Sequence, residues 1–379
     1  MKHLISSINK IHLEVKYIFC LFFCTRFILI IIGCLSHLIL EPKLLPRKYV
    51  FIYSKHLWLD IWGVWDTGWY LDIATNGYSL PGTNPDAGNQ ANYAFFPLYP
   101  LLIRILGVII GDNYTAGIIL SNIFLIVACI FLYKLVCLKS DQDTALRAIK
   151  YLFLFPTAFI FSGVFTESLF LVLTLICFYY AKREQWLFVG IAGFFLSLTR
   201  VNGIFVILPL SYEYLKIKRF RLENIRINSL YLLLIPFGLF IFASYNYYLT
   251  GDFLAFVHIQ SAWHRHLNSP LKVLSSGLFS SDYNNYFSAY FTWSFLCLLI
   301  IYYKKVDFSY WIFGMYSILI PLSTKLESMP RYLLPVFPLY LIFAELSNNS
   351  KVDQFVTLSL ALLQGFLMVF WTMEFSLII

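Results

Sequence analysis

Long apolar stretches recur along almost the whole of this 379-residue chain and restrict what it can fold into. Apolar residues make up 60% of the sequence and charged residues 13%, whereas soluble domains carry about 25% charged residues. A stretch of about 20 apolar residues can cross a membrane as a helix. The sequence therefore predicts an all-α polytopic membrane protein, multi-pass and integral to the membrane, with a single domain over residues 1–379.

Polar segments divide the apolar stretches into about eleven predicted transmembrane helices, several of them short or tilted. The pairs that meet near Glu167 and Arg200 have almost no loop, so each pair is also compatible with one long or broken helix. The predicted spans lie at 17–40, 116–138, 148–165, 168–181, 187–199, 201–215, 229–249, 284–303, 308–323, 332–346 and 353–373.

The formal net charge of +8 comes from Lys and Arg residues that concentrate in a few short loops. Such loops are typical of the cytoplasmic side of membrane proteins, so the charge needs no nucleic acid as a partner. With the N-terminus inside, these loops lie in the cytoplasm, and 41–95 is the first extracytoplasmic loop. The basic loops contain Lys139, Arg147 and Lys150; Lys182 and Arg183; Lys216, Lys218, Arg219 and Arg221; and Lys304 and Lys305.

The loops on the other side carry polar residues that topology does not explain, and this favours one extracytoplasmic active site. They are Asp66, Glu167, Arg200 and Asn202, the segment 251–283, and Lys325–Arg331. A carboxylate held among aromatic rings at a membrane surface is costly, and such residues are commonly functional. We therefore interpret Asp66 as a candidate catalytic base. The alternative is that Asp66 merely faces water on its helix, and Asp60 and Asp72, which are nearby, can play that part as well.

A tryptophan stripe surrounds Asp66 in the first extracytoplasmic loop. Its members recur at steps of four, three and four residues, which places them on one face of a helix. An aromatic stripe that follows a span predicts a helix lying in the membrane interface. The stripe consists of Trp58, Trp62, Trp65 and Trp69.

Several motifs occur in a fixed order and together resemble one family. The first reads Trp-Asp-x-x-Trp-Tyr-x-x-Ile-Ala-x-x-Gly-Tyr, and a Phe-x-Pro-x-Tyr-Pro-Leu-Leu block follows it. The motif segments are 65–78, 95–102, 155–170, 199–203, 251–265 and 330–332. This ordered set resembles the glycosylphosphatidylinositol mannosyltransferase II (PIG-V-like) family of membrane glycosyltransferases.

The resemblance implies a GT-C type enzyme. Such an enzyme moves a hexose, with mannose the first candidate, from a polyprenyl-phosphate donor to a glycan or glycolipid acceptor on the outer or luminal face. The membrane would be the plasma membrane of a bacterium or the endoplasmic reticulum of a eukaryote. The position of Asp66 in the motif fits a general base, because a hydroxyl that attacks an anomeric carbon must lose its proton.

The leaving lipid phosphate requires positive charge beside its oxygens. Arg331, Arg200 and the pair His264 and Arg265 are candidates for that contact. Each also has a structural interpretation, because an arginine at the end of a span commonly reaches toward the interface. Arg200 can likewise pair with Glu167 at the tips of neighbouring helices, which would shape the site without touching substrate.

The remaining candidate substrate-binding residues are aromatic or amide side chains. Gln260 and Trp263 can hold a sugar or can belong to an ordinary interfacial helix, and Asn202 can orient the charged groups. No Asp-x-Asp pair accompanies Glu167, and the histidine spacing after residue 257 does not suit a metal site on one helix. We therefore expect no metal and no cofactor other than the lipid-linked sugar itself. The aromatic candidates are Trp65, Trp69, Tyr70, Trp263 and Tyr332.

Two other functions are compatible with a polytopic chain. A transporter or flippase of lipid-linked sugars would explain the number of spans, although transporters often show internal repeats and charges near the membrane midplane. A non-catalytic scaffold subunit would not require a carboxylate in the first outer loop. The absence of a visible sequence repeat and the gathering of polar residues on one side favour the enzyme.

Overall fold

The computed structural model describes residues 2–44, 52–82 and 88–378, with side chains described at 14–40, 52–82 and 88–378. Residues 45–51 and 83–87 of the predicted first loop lie outside this description. Every regular element in the described ranges is a helix, which confirms the all-α prediction. The helices are α1 (Lys2–Leu44), α2 (Leu57–Asp60), α3 (Thr67–Asn76), α4 (Leu98–Ile110), α5 (Asn113–Val136), α6 (Gln142–Leu154), α7 (Glu167–Lys182), α8 (Trp186–Ser197), α9 (Ile207–Ile217), α10 (Leu234–Thr250), α11 (Ala255–His258), α12 (Pro270–Leu278), α13 (Tyr283–Ile301), α14 (Phe308–Leu322), α15 (Met329–Tyr332), α16 (Pro338–Leu346) and α17 (Ser350–Thr372).

Four helical segments in the described ranges are long and apolar enough to cross a membrane. They are Glu14–Leu40, Asn113–Val136, Ile227–Thr250 and Ser350–Thr372. The other predicted spans correspond to shorter or interrupted helices, so the expected count of about eleven is not confirmed. The structure therefore supports a helical membrane protein.

Prolines interrupt two of the predicted spans. The predicted span 148–165 ends as a helix at Leu154, and Pro156 follows at once. The predicted span 332–346 divides into α15 and α16, with Pro335 between them. Proline lacks a backbone N–H and disfavours helical geometry in the residue before it, so both breaks have a local cause.

Helix α7 lies at the centre of the bundle, packed against α5, α8 and α9. Leu171, Leu175 and Phe178 on this helix are fully buried. Glu167 lies in its first turn and Lys182 in its last, which suits the dipole of the helix. Glu167 and Lys182 are the first and last of the 16 residues of α7, so they lie about 22 Å apart along the helix axis at about 1.5 Å per residue.

The Lys182 end of α7 collects charges from the loops that the sequence assigns to one side of a membrane. Lys182 contacts Glu213 at 2.7 Å and Asp307 at 2.5 Å. Lys139, from the loop after α5, also reaches Asp307 at 2.5 Å. These ion pairs tie four segments of the chain together at one end of the bundle.

The tryptophan stripe does not lie on one helix, so this part of the interfacial-helix prediction is wrong. Helix α2 ends at Asp60 and α3 begins at Thr67, and Trp65 between them has a left-handed backbone with φ 51°. The Tyr114 hydroxyl lies within hydrogen-bond distance of the carbonyl oxygens of Leu59 and Asp60, at 2.8 and 3.1 Å. In a continuing helix, these carbonyl oxygens would instead accept hydrogen bonds from backbone N–H groups four residues later.

Candidate active site

One arginine joins two carboxylates that are distant in sequence. Nη1 of Arg331 donates a hydrogen bond to Oδ2 of Asp66, and its Nε lies 3.2 Å from Oε1 of Glu167. The Arg331 and Glu167 side chains are 6% and 1% exposed, whereas the Asp66 side chain is 19% exposed. Solvent therefore reaches this charged cluster mainly beside Asp66.

Helix α15 places Arg331 by means of a local turn. Ser328, just before α15, has a left-handed backbone with φ 68°, and Pro330 occupies the first turn of the helix. The hydroxyl of Thr157 donates to the carbonyl oxygen of Pro330 at 3.0 Å. This contact fixes the start of α15 against the segment that precedes α7.

Two more arginines complete the cluster around the ring of Tyr332. Arg200 places Nη1 3.3 Å from Oε1 of Glu167, which is the ion pair expected from the sequence. The guanidinium carbons of Arg200, Arg331 and Arg265 lie 5.1, 5.3 and 5.7 Å from the centre of the Tyr332 ring. Contacts of this kind are favourable, and they are stronger where water is excluded.

The charges in the cluster set the ionisation of its buried members. Burial disfavours the charged form of Arg331, but Asp66 and Glu167 outweigh burial and raise the pKa of Arg331 well above its usual range. Burial, with the neighbouring Asp66 and Glu167, also raises the pKa of Tyr70. The site therefore holds a permanent cation beside a neutral phenol.

Several buried polar groups around the cluster lack an aligned hydrogen bond to the described residues. The arginines approach Glu167 at ion-pair distance, but neither of its oxygens accepts a hydrogen bond of acceptable geometry. The hydroxyls of Thr67, beside Asp66, and Thr166, beside Glu167, also have no described partner. Because buried polar groups are normally satisfied, the unpaired groups here are candidates for contacts with a bound molecule.

Left-handed backbone conformations also cluster at this site. Trp65, His264 and Ser328 are non-glycine residues with positive φ values, at 51°, 56° and 68°. They precede Asp66, Arg265 and the helix of Arg331, respectively. Such conformations cost about 1–3 kcal/mol each and occur often at functional sites, where they aim particular side chains.

An aromatic wall borders the charged cluster. The Trp69 ring stacks on Phe95 with 5.7 Å between centroids, and the Trp263 ring packs edge-on to Trp69 at 5.8 Å. Tyr70 lies behind this wall, packed edge-on to Phe95 at 5.3 Å. Since α3 carries Trp69 and Tyr70 directly after Asp66, this one short helix positions both the carboxylate and part of the wall.

The structure brings together most of the residues selected from the sequence. Its charged cluster contains Asp66, Glu167, Arg200, Arg331 and Tyr332. The wall beside the cluster contains the selected residues Trp69, Tyr70 and Trp263. Trp65 remains 40% exposed at the turn before Asp66.

Three selected residues stand apart from the cluster. The side chain of Gln260 donates to the carbonyl oxygen of Phe256 at 3.4 Å, a contact within its own segment. Asn202 is buried in the turn after Arg200, and no hydrogen bond among the described residues joins its side chain to the cluster. His264 is exposed and forms the left-handed corner, so Arg265 is the residue of that pair that reaches Tyr332.

Sequence reasoning missed the aromatic residues that support the charges. Phe165 lies under the guanidinium of Arg331 at 5.4 Å, and Phe170 lies under that of Arg200 at 5.6 Å. The two phenylalanines flank Glu167 by two and three residues, and this spacing was the available signal. Asp60 and Asp72, the alternatives to Asp66, instead accept hydrogen bonds from backbone N–H groups and from asparagine side chains.

Among the described residues, the carboxylates of the cluster are not part of a group of side chains suited to a metal ion. The described part of the chain contains no group of three or more His, Cys, Asp or Glu side chains placed to hold a metal ion. The two carboxylates of the cluster, Asp66 and Glu167, both pair with Arg331.

Comparisons with models of known protein families and with curated protein sequences gave no match. The function therefore has to be inferred from the side chains of this chain and their contacts.

We predict that replacement of Arg331 by methionine strongly destabilises the fold. The change leaves the buried Glu167 with one cation and Asp66 with none, and breaking a buried ion pair costs about 3–5 kcal/mol. Arg265→Met is the matched control, because Arg265 contacts only the Tyr332 ring in the cluster and should cost about 1 kcal/mol or less. Thermal unfolding of both purified variants measures the difference, and equal losses would contradict the role of Arg331 as the shared cation.

Proposed function

We propose that this chain is a multi-pass membrane glycosyltransferase of GT-C type. It moves a hexose, with mannose the first candidate, from a polyprenyl-phosphate donor to a lipid-linked or cell-surface glycan acceptor on the extracytoplasmic face. The observation that carries the proposal is a partly exposed carboxylate, Asp66, beside three arginines gathered around Tyr332. The resemblance of the ordered motifs to the PIG-V-like family supports the same reaction.

Asp66 is suited to receive the proton of the acceptor hydroxyl. Arg331 holds one carboxylate oxygen, Oδ2, while Oδ1 makes no hydrogen bond to a described residue. The hydroxyl oxygen attacks the anomeric carbon and its proton passes to Asp66, while the bond from that carbon to the donor phosphate breaks. A base positioned in this way contributes about 10²–10⁴ to the rate.

The arginines are suited to bind the donor phosphate and the lipid phosphate that leaves. The cluster contains three guanidinium groups and two carboxylates, so it carries one net positive charge. Guanidinium groups bind phosphate oxygens through paired hydrogen bonds, and they stabilise the charge that develops as the bond breaks. Arg200 and Arg331 are both paired with Glu167. Arg265 contacts only the Tyr332 ring in the cluster, so it has the most N–H groups free to bind phosphate oxygens.

The aromatic wall offers a surface for the sugar. Trp69 and Trp263 lie on segments that also carry the charged residues, Trp69 three residues after Asp66 and Trp263 two residues before Arg265. Aromatic faces pack against the apolar faces of sugar rings. A sugar on this wall would therefore lie between the proposed base and a proposed phosphate contact.

We predict that Asp66→Asn abolishes transfer while the protein still inserts and accumulates. The amide keeps the size of the side chain but cannot accept the proton, so the rate should fall by about 10²–10⁴. Transfer from a polyprenyl-phosphate hexose is measured in membranes that contain the variant. Asp72→Asn is the control, because Asp72 lies on α3, the helix that follows Asp66, but bonds Asn76 and Asn92, and it should keep most of the activity.

Undiminished transfer by Asp66→Asn would show that Asp66 is not the general base. Membranes that show no transfer with the unchanged protein, but do move a lipid-linked sugar across the bilayer, would favour the flippase alternative.

We predict that Arg265→Gln weakens use of the donor and leaves use of the acceptor unchanged. Loss of one charged hydrogen bond to the phosphate corresponds to about a tenfold rise in the KM for the donor. Arg104→Gln, on the exposed face of α4, is the control and should change neither constant. Equal rises in both KM values for Arg265→Gln would argue against a phosphate contact.

We predict that the two ends of the bundle face opposite sides of the membrane. Single cysteines are introduced at His266 and Lys305, both exposed, in a variant whose seven native cysteines are replaced. An impermeant maleimide added to intact cells should label position 266 and should label position 305 only after lysis. Labelling of position 266 only after lysis would place the arginine cluster on the wrong face for its proposed donor.

A further inference from the structure

A surface pocket lies near the candidate active site but outside its charged cluster. It has a volume of about 460 Å³, which is within the usual range of small-ligand sites. Polar side chains and small apolar side chains line it, and the polar ones are Asn89, Tyr93, Thr250, Asp252, His258 and Ser261. We call it the Asp252 pocket.

Asp252 and His258 form the most strongly interacting pair in this pocket. Nδ1 of His258 lies 2.6 Å from Oδ2 of Asp252, and the backbone N–H of Leu254 donates to Oδ1 at 2.9 Å. The hydrogen bond from His258 and that from Leu254 lower the pKa of Asp252. The carboxylate therefore stays ionised and keeps lone pairs that can accept hydrogen bonds from hydroxyl groups.

Other polar groups in the pocket have capacity for a ligand. Within the described ranges, no hydrogen bond engages the side chains of Asn89 or Tyr93. Asn89 offers both a donor and an acceptor, and Tyr93 offers a hydroxyl. No lysine or arginine is among the described lining residues, and the one basic side chain there, His258, already pairs with Asp252. This set of groups suits a neutral ligand that carries many hydroxyls.

One short segment joins the pocket to the charged cluster. His258 and Ser261 line the pocket, Trp263 packs on Trp69 of the aromatic wall, and Arg265 contacts Tyr332. Seven residues separate His258 from Arg265 along the chain. A molecule in the pocket would therefore lie next to the wall that borders Asp66.

We propose that the Asp252 pocket binds the glycan part of the acceptor, a neutral oligosaccharide, and so fixes which hydroxyl is presented to Asp66. This inference rests on the proposed function for its role in catalysis. The phosphate of the donor goes to the arginine cluster, and the uncharged sugar of the acceptor goes to the pocket. The two substrates are thereby distinguished by charge before they meet.

Binding of neutral disaccharides to the purified protein tests the pocket directly. The probes are a dimannoside, maltose and chitobiose, and saturation-transfer NMR measures their affinity. We expect at least one to bind, and we expect Asp252→Asn and Tyr93→Phe each to weaken that binding about tenfold, by loss of one hydrogen bond. Asp143→Asn and Tyr283→Phe, exposed residues outside the pocket, are matched controls and should bind as the unchanged protein does.

Failure of the pocket and failure of the enzyme give different results. Absence of binding by all three probes, or binding that neither pocket variant weakens, would overturn the pocket even if transfer is observed. If a disaccharide binds and the pocket variants weaken its binding, but no hexose is transferred, the pocket proposal stands and the proposed enzyme activity is overturned. Asp66→Asn should bind the disaccharide normally and transfer nothing, because it alters the proposed base and leaves the pocket intact.

Discussion

The contact of Arg331 with Asp66 and Glu167 is the interaction on which the rest of the site depends. It joins the first loop of the chain, the start of the central helix α7 and the short helix α15. Ordering such distant segments is costly in chain entropy, and a buried charge without a partner is more costly still. Once the arginine is buried, both carboxylates must be close to it, so the position of α3 relative to α7 is fixed by charge as well as by packing.

The central helix also keeps two groups of charges apart. Its first turn carries Glu167 in the candidate site, and its last turn carries Lys182 in the network with Glu213 and Asp307. In each network the charges pair with opposite charges at their own end of the bundle. Apolar residues such as Leu171 and Leu175 fill the interval between them. If α7 packed in the opposite direction, Glu167 and Lys182 would each lie among the wrong partners and remain unpaired. The two networks therefore favour one orientation of α7 in the bundle.

Sequence patterns predicted which residues meet better than they predicted the helices that carry them. Loop charge separated the end of Lys182 from the end of Glu167, and the structure pairs Glu167 with Arg200 and Arg331 from its own set. The lysines of the basic loops instead pair with Glu213 and Asp307, which the loop-charge pattern had not selected. The spacing of the tryptophans wrongly predicted one continuous helix. The helix ends early where Tyr114 contacts the end of α2, and Tyr114 is too far away in sequence for local spacing to indicate this contact. The pairing of Asp252 with His258 was also missed. Their spacing of six residues matches no helical face, and they meet because Leu254 donates to Asp252 in the turn just before α11, which ends at His258.

The composition of the charged cluster is matched to the proposed reaction. Three guanidinium groups and two carboxylates leave one positive charge, and the phosphodiester of a polyprenyl-phosphate sugar carries one negative charge. When the bond to the anomeric carbon breaks, the leaving phosphate gains a second negative charge. In the same step Asp66 accepts the proton of the acceptor and loses its own charge. The sum of charges in the site therefore stays at zero, which avoids the cost of creating a net charge where water is largely excluded.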